Sequence, residues 1–297
     1  MIANELRLGF VGFGEAGYHL AKGLRGAGLA HIYAFDVYAN TAGPGEKIRQ
    51  RAVETGVILC ESNTQLAAAC DVLLSTVTAD QAEAAAKQNA PHLGERHLYA
   101  DLNSVSPELK KSIAKLIATS GARFVEVAIM SPVPPHLHRA PMFLGGPHAQ
   151  ELVNLLAPFG MSLEVISDQI GAASAIKMCR SIVVKGLEAL LFECVLAAVP
   201  YGADERVFAT LEETMPGIKW KQLASYMVGR VIEHGERRAR EMDQVAATLR
   251  GIGVEPLMTE AAAKRQDWGA SLDLLSKLGG EPPADYREVI DAIAKKA

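Results

Sequence analysis

Residues 8–17 read Leu-Gly-Phe-Val-Gly-Phe-Gly-Glu-Ala-Gly. The apolar run Leu8–Val11 reads as a buried strand. It ends at Gly12, and Glu15–Arg25 follows with helical periodicity. Strand, glycine turn and helix in this order put Gly12, Gly14 and Gly17 in the pattern G-x-G-x-x-G. Gly12 permits the tight turn, Gly14 lets backbone approach a pyrophosphate, and Gly17 lets helix and strand pack closely. With Phe13, Glu15 and Ala16 between the glycines, the turn offers free N–H groups and a partial positive charge to phosphates.

A second apolar run, His31–Phe35, leads into Asp36, 24 residues beyond Gly12. A carboxylate there accepts hydrogen bonds from adenosine ribose hydroxyls and repels a 2′-phosphate. The alternative is that Asp36 merely opens a polar turn. The order of turn, helix, strand and acid favours a nicotinamide dinucleotide, NAD ahead of NADP. Lys47 or Arg49 is the group that would meet a 2′-phosphate if NADP is the ligand.

Further runs, Val57–Cys60, Val72–Val77, His97–Leu102 and Phe124–Ile129, alternate with helical stretches such as Pro107–Thr119. Alternation of this kind predicts a parallel sheet covered on both faces. Beyond residue 170 the strand signals vanish. Ala172–Ala198 reads as one long, mostly apolar helix. Helical patterns continue over Asp204–Glu213, Lys219–Leu249, Leu257–Lys264 and Tyr286–Lys296. The expected fold class is α/β: an N-terminal doubly wound parallel sheet of Rossmann type over residues 1–167, and an all-α domain over residues 168–297. The long helix joins them, with a stiff joint near Ser167–Gly171.

Composition agrees with two globular domains. The 297 residues are 49% hydrophobic and 22% charged, with 30 Lys plus Arg against 34 Asp plus Glu. A net charge of −4 argues against an electrostatic nucleic-acid binder. The most apolar segment, Ala189–Pro200, contains Glu193 and is too short for a membrane span. The N-terminus lacks the pattern of a signal peptide. The four cysteines, Cys60, Cys70, Cys179 and Cys194, show no metal or disulfide spacing, so free thiols in a reducing, cytoplasmic setting are expected.

In the long helix, Ile176, Cys179, Val183, Leu187, Leu190 and Cys194 recur at helical spacing and predict a buried apolar face. Lys177, Arg180, Ser181, Val184, Lys185 and Glu188 form a largely polar stripe on a second face. A lysine on so apolar a helix is costly unless it is paired or functional. In the functional reading, Lys177 is a general acid/base, with burial and the cations Arg180 and Lys185 lowering its pKa. In the other, Lys177 reaches solvent and Lys185 pairs with Glu188.

With these motifs in order, the chain resembles the β-hydroxyacid dehydrogenase family, which includes 3-hydroxyisobutyrate and 6-phosphogluconate dehydrogenases. The resemblance places Val77 and Thr78 beside the cofactor. It matches Asp101–Pro107 to the family's DxSTxxP segment, with Asn103 and Ser104 bordering nicotinamide and substrate. It gives Lys177 the catalytic role. The family's asparagine four residues on is here Ser181, which also hydrogen-bonds but reaches less far. The family's substrate turn corresponds to Glu126–Pro132, ending in Met130, Ser131 and Pro132, and Pro132 removes a backbone donor. Pro132–Pro135 is expected to be a stiff, extended loop. Arg240 stands where the family often has lysine, and Arg180 or Arg240 would hold the anionic end of a small hydroxyacid-like substrate. The stretch Arg180–Leu190 is similar to a less characterised, phosphogluconate dehydrogenase-like branch. The resemblance also implies a homodimer.

Other residues carry less. His136, His138 and Arg139 follow the proline run as substrate contacts or solvated loop, and no metal site is expected. His234, Arg237 and Arg238 precede Arg240 on one helix. Trp220 and Trp268 are expected to pack between helices. Two rival functions remain open, an imine reductase of the same superfamily and a non-catalytic NAD-binding sensor.

Overall fold

The computed structural model describes residues 5–295. The chain divides into two compact units, Met1–Lys177 and Met178–Ala297. The first contains β1 (Arg7–Val11), α1 (Glu15–Gly26), β2 (His31–Phe35), α2 (Pro44–Thr55), β3 (Ile58–Leu59), α3 (Asn63–Ala69), β4 (Val72–Ser75), α4 (Ala82–Asn89), β5 (Leu98–Asp101), α5 (Pro107–Ala118), β6 (Arg123–Ile129), α6 (Val133–His136), β7 (Met142–Gly145), α7 (Ala149–Leu156) and β8 (Leu163–Ser167). The strands form one sheet in the order β3-β2-β1-β4-β5-β6-β7-β8, parallel throughout except between β6 and β7. This is the expected doubly wound arrangement with a mixed extension.

Strand alternation explains the two-sided core. Leu8, Phe10 and Leu74 point into one apolar layer with Leu20 and Leu24 of α1. Val11, Leu73 and Tyr99 point into the other with Ile113 and Ile117 of α5. Strand order reverses between β1 and β4, which is where open α/β sheets leave a crevice at the carboxyl ends of their strands. Register keeps those ends level, because Val11 pairs with both Phe35 and Ser75.

Helix α8 (Ala172–Ala198) begins in the first unit and continues into the second. The second unit also contains α9 (Asp204–Thr214), α10 (Trp220–Gly251), α11 (Leu257–Ser271) and α12 (Tyr286–Ala294). The expected last residue of α12, Lys296, lies outside the described residues. Phe192, Phe208, Val228, Val231 and Tyr286 form the core of this unit, with Trp220 buried among them. Close approach of α10 and α11 requires two glycines. A Cβ on Gly235 would lie 2.5 Å from the Gln266 carbonyl oxygen, and one on Gly269 would lie 2.4 Å from Val231.

Three expectations are corrected here. Strands β7 and β8 were not anticipated, and β7 runs antiparallel to β6. The proline run is not extended, because Val133–His136 forms a helical turn with Pro132 as its N-cap. Proline suits a first turn, where its missing N–H has no intrahelical partner. The faces of α8 are also exchanged relative to expectation. Ile176, Val183 and Leu190 are exposed, whereas Lys185 and Glu188 are buried. The buried charges are matched from other helices: Lys185 Nζ lies 2.7 Å from Glu241 of α10, and Glu188 meets Arg238 at 3.0 Å. Gln266 of α11 donates to Glu188 at 2.9 Å.

Candidate cofactor and catalytic site

The glycine turn is held in shape by three hydrogen bonds to the ends of β2 and β4. The Gly12 N–H donates to the Phe35 carbonyl at 2.8 Å, and the Thr76 hydroxyl donates to the Gly12 carbonyl at 2.7 Å. The Phe13 N–H donates to Asp36 Oδ2 at 2.7 Å. Gly12 has φ +83°, in the region that favours glycine, and a Cβ there would lie 2.6 Å from Val77. A Cβ on Gly17 would lie 3.0 Å from Thr76 Oγ1 and 3.1 Å from the Gly12 carbonyl oxygen, so Gly17 is the close-packing glycine. A Cβ on Gly14 would meet nothing within 4 Å. Gly14 therefore faces open space at the start of α1, where backbone N–H groups and the helix dipole favour an anion.

That space is a cleft of about 560 Å³. Gly12, Gly14, Glu15 and Ala16 line one wall, Asp36 lies beyond them, and Val77 and Thr78 line the wall from β4. The Phe13 side chain is buried in the core, so only its backbone belongs to the turn. The cleft fits a dinucleotide. It has an open glycine at a helix N-terminus, a carboxylate at the end of β2, and a volume in the range of cofactor pockets. Lys47 and Arg51 also line it, whereas Arg49 donates to the Ala39 carbonyl. Thr76, Arg51 and Tyr38 escape the sequence motif. Thr76 lies one residue before the Val77–Thr78 pair and its role depends on a hydrogen bond across 64 positions.

A buried polar cluster occupies the ends of β4 and β5. Asn103 Nδ2 donates to Asp101 Oδ1 at 2.6 Å and to Ser75 Oγ at 2.9 Å, which turns its side chain inward. Asn103 Oδ1 has no hydrogen-bond partner there, and Asp101 Oδ2 lies 3.4 Å from Lys110 Nζ. Lys110 is buried, with Nζ donating to the Asp101 carbonyl at 2.6 Å. Burial pushes its ammonium pKa down, against the opposing pull of the Asp101 and Glu126 carboxylates. Ser104, next in the loop, is exposed.

Glu126 of β6 fixes the start of α8. Its side chain is 0% exposed, and its carboxylate accepts from the Gly171 N–H, the Ser174 N–H and, at 3.0 Å, the Ser174 hydroxyl. The orphan N–H groups of a helix N-terminus are thus satisfied by a side chain from the sheet. Gly171, with φ +105°, seats the turn against Pro107 and Lys111 of α5. Lys177 follows less than one turn after Ser174 and is half-buried.

The remaining predicted substrate residues are dispersed over several elements. Met130 donates its N–H to the Pro141 carbonyl at 2.8 Å. Ser131 has a buried Oγ without a partner, and Pro132 is exposed. His138 is buried against Gly23 of α1, and burial lowers its imidazole pKa. In the second unit Arg180 is exposed, and Ser181 Oγ accepts from Lys185 Nζ at 3.2 Å. Arg240 is exposed on α10, 3.8 Å from Glu236. Arg238, its neighbour, is spent on Glu188. Trp268 packs its ring 5.6 Å from that of Phe192.

Residues 7–156 match the family model described as the NAD binding domain of 6-phosphogluconate dehydrogenase. Residues 198–269 match a domain of unknown function, DUF1932. A conserved hypothetical protein from Sinorhizobium meliloti has a solved structure with TM-score 0.82 and 36% identity, covering 98% of this chain and 97% of that one. An uncharacterized 28.5 kDa protein from Methanothermus fervidus is 31% identical over 85% of this chain and 94% of its own length. The mitochondrial 3-hydroxyisobutyrate dehydrogenase of Drosophila melanogaster is 25% identical over 72% of this chain and 64% of its own length.

Proposed function

Since the chain belongs to the family of the NAD binding domain of 6-phosphogluconate dehydrogenase, we propose that it is a nicotinamide-dependent oxidoreductase acting on a small anionic 3-hydroxyacid or sugar acid. The observation that carries this reading is the preformed glycine cleft with Asp36 at its far end. The 3-hydroxyisobutyrate dehydrogenase among the relatives supports the substrate class.

In this reading Gly12–Gly17 and α1 hold the pyrophosphate, and Asp36 takes the ribose hydroxyls of NAD. Val77, Thr78 and Asn103 border the nicotinamide. When bound, the nicotinamide exchanges a hydride with the carbon that bears the hydroxyl or oxo group. Lys177 removes the hydroxyl proton in oxidation and returns it in reduction. Ser104, Met130, Ser131, Pro132 and Ser181 shape and orient the substrate, and Arg180 or Arg240 holds its anionic end. Two copies of the chain form the working assembly.

The test is absorbance at 340 nm over a panel of 3-hydroxyacids, sugar acids and a cyclic imine, with NAD and NADP. Turnover of a hydroxyacid is expected, faster with NAD. Turnover of the imine alone, or cofactor binding without turnover of any substrate, would overturn the reading. A second test concerns the turn itself. Gly12→Ala must relieve both a positive φ and a clash with Val77, and is expected to weaken NADH binding at least about tenfold, or about 1.4 kcal/mol. Fluorescence titration of NADH measures it, and unchanged affinity would remove the turn from the site.

A further inference from the structure

Two buried carboxylates stand side by side in the sheet. Asp101 and Glu126 are register partners on the adjacent parallel strands β5 and β6. Register partners project to the same face, from backbones about 4.8 Å apart. Both residues are 0% exposed. Like charges this close repel more strongly in the interior than in water. The cation that meets them comes from the first turn of α5. Lys110 is 1% exposed, and its Nζ lies 2.6 Å from the Asp101 carbonyl oxygen and 3.4 Å from Asp101 Oδ2. The Glu126 carboxylate also favours the charged form of this lysine. Three charges buried together are a poor source of stability, because apolar side chains of similar volume would avoid their desolvation.

Their placement is more informative. Asp101 Oδ1 accepts from the Asn103 N–H at 2.9 Å and from Asn103 Nδ2 at 2.6 Å, which fixes the loop of Asn103 and Ser104. Glu126 accepts from the Gly171 and Ser174 N–H groups and so fixes the start of α8, less than a turn before Lys177. Helix α5, which carries Lys110, also touches that start: a Cβ on Gly171 would lie 3.3 Å from Pro107 Cβ and 3.1 Å from Lys111 Cε. One ammonium thus stands between the carboxylate that holds the loop and the carboxylate that holds the helix.

We infer that Lys110 is a positioning residue, the shared cation through which Asp101 and Glu126 keep the Asn103–Ser104 loop and the N-terminus of α8 in one fixed geometry. The inference rests on the oxidoreductase reading above, in which Asn103 borders the nicotinamide and Lys177 moves the proton. Without the ammonium the two carboxylates repel, Asp101 loses the partner of its carbonyl and of Oδ2, and its hold on Asn103 slackens. The glycine cleft is unaffected, because it is built from the ends of β1, β2 and β4.

The test compares the wild type with Lys110→Met, which keeps an unbranched stem and removes the charge. ADP-ribose reads the glycine cleft alone, and NADH adds the nicotinamide. Lys110→Met is expected to bind ADP-ribose within about twofold of wild type and NADH at least about fivefold more weakly. With a substrate from the panel above, kcat is expected to fall at least about tenfold, since a misplacement of about 1 Å can cost about a hundredfold. Thermal unfolding between about pH 5 and about pH 8 reads the charge. In the variant the adjacent carboxylates bind a proton more tightly folded than unfolded, so stability is lost as pH rises through the raised folded pKa. The Tm gap to wild type is therefore expected to be small at the acid end and to widen toward the alkaline end. Around the triad, the Tyr99 phenol of β5 is pushed far up by burial and stays neutral. Lys111 and Glu108 of α5 pair with each other at 2.8 Å, and Lys177 is the first charged residue of α8; both proteins share them. Lys110→Gln serves if the methionine variant misfolds. Unchanged NADH affinity and kcat in the variant would overturn the inference alone, as would a Tm gap that is constant with pH, which marks mere packing. Equal weakening of ADP-ribose and NADH would overturn it as well, because the effect would then be general. A wild type that does not bind NADH would overturn the oxidoreductase reading and this inference together.

Discussion

Replacing Lys177 by alanine is expected to lower kcat by about 10²–10⁴, the usual contribution of a positioned general acid or base. At 1.36 kcal/mol per decade this is about 3–5 kcal/mol of barrier. NADH affinity is expected to be unchanged, because the cleft is built from the ends of β1, β2 and β4 and Lys177 is not among its lining residues. Lys177→Arg keeps the charge but cannot release a proton in the working pH range, so it is expected to be as slow as the alanine variant. Titration with NADH and steady-state rates separate the two effects. A rate within twofold of wild type in Lys177→Ala would remove the residue from the chemistry.

Replacing Glu126 by alanine is expected to have the largest effect on stability. The substitution strips the acceptor from two buried backbone N–H groups and leaves the Ser174 hydroxyl only the Gly171 carbonyl, 3.3 Å away. Each stranded donor costs about 1–3 kcal/mol, so a loss of about 3–5 kcal/mol and a fall in Tm of about 10 °C are expected. Glu126→Gln does not rescue, because its amide nitrogen would face a helical N–H where an oxygen now accepts. The first turn of α8 would fray, and Lys177, less than a turn beyond Ser174, would lose its placement. The expected signature is a lower kcat with NADH affinity retained. Calorimetry and the kinetics of the folded protein at low temperature check it; a Tm within 2 °C of wild type would mean that water replaces the carboxylate.

Local chemistry explains what was legible in the sequence. The glycine turn, Asp36 and the limits of α8 are set by contiguous residues, and all three are found where the pattern places them. Harder features depend on residues far apart. The apolar positions of α8 looked like a core face because apolar residues are usually inside, but Glu241, Arg238 and Gln266 pull the charged face inward instead. Strand β7 is four residues long and β8 is half-exposed, so neither shows a clear apolar run. The carboxylate of Glu126 is 45 residues from the N–H of Gly171, and no local pattern announces a cap supplied from a strand.

The hydrogen bonds that shape the glycine turn also bear on how a nucleotide is captured. Thr76, Phe35 and Asp36 settle the turn's conformation as the chain folds, so its ordering entropy is charged to folding and not to association. Capture is then an encounter with a rigid mould. Binding is expected to proceed in one step, its rate rising in proportion to nucleotide concentration without the plateau of a slow rearrangement.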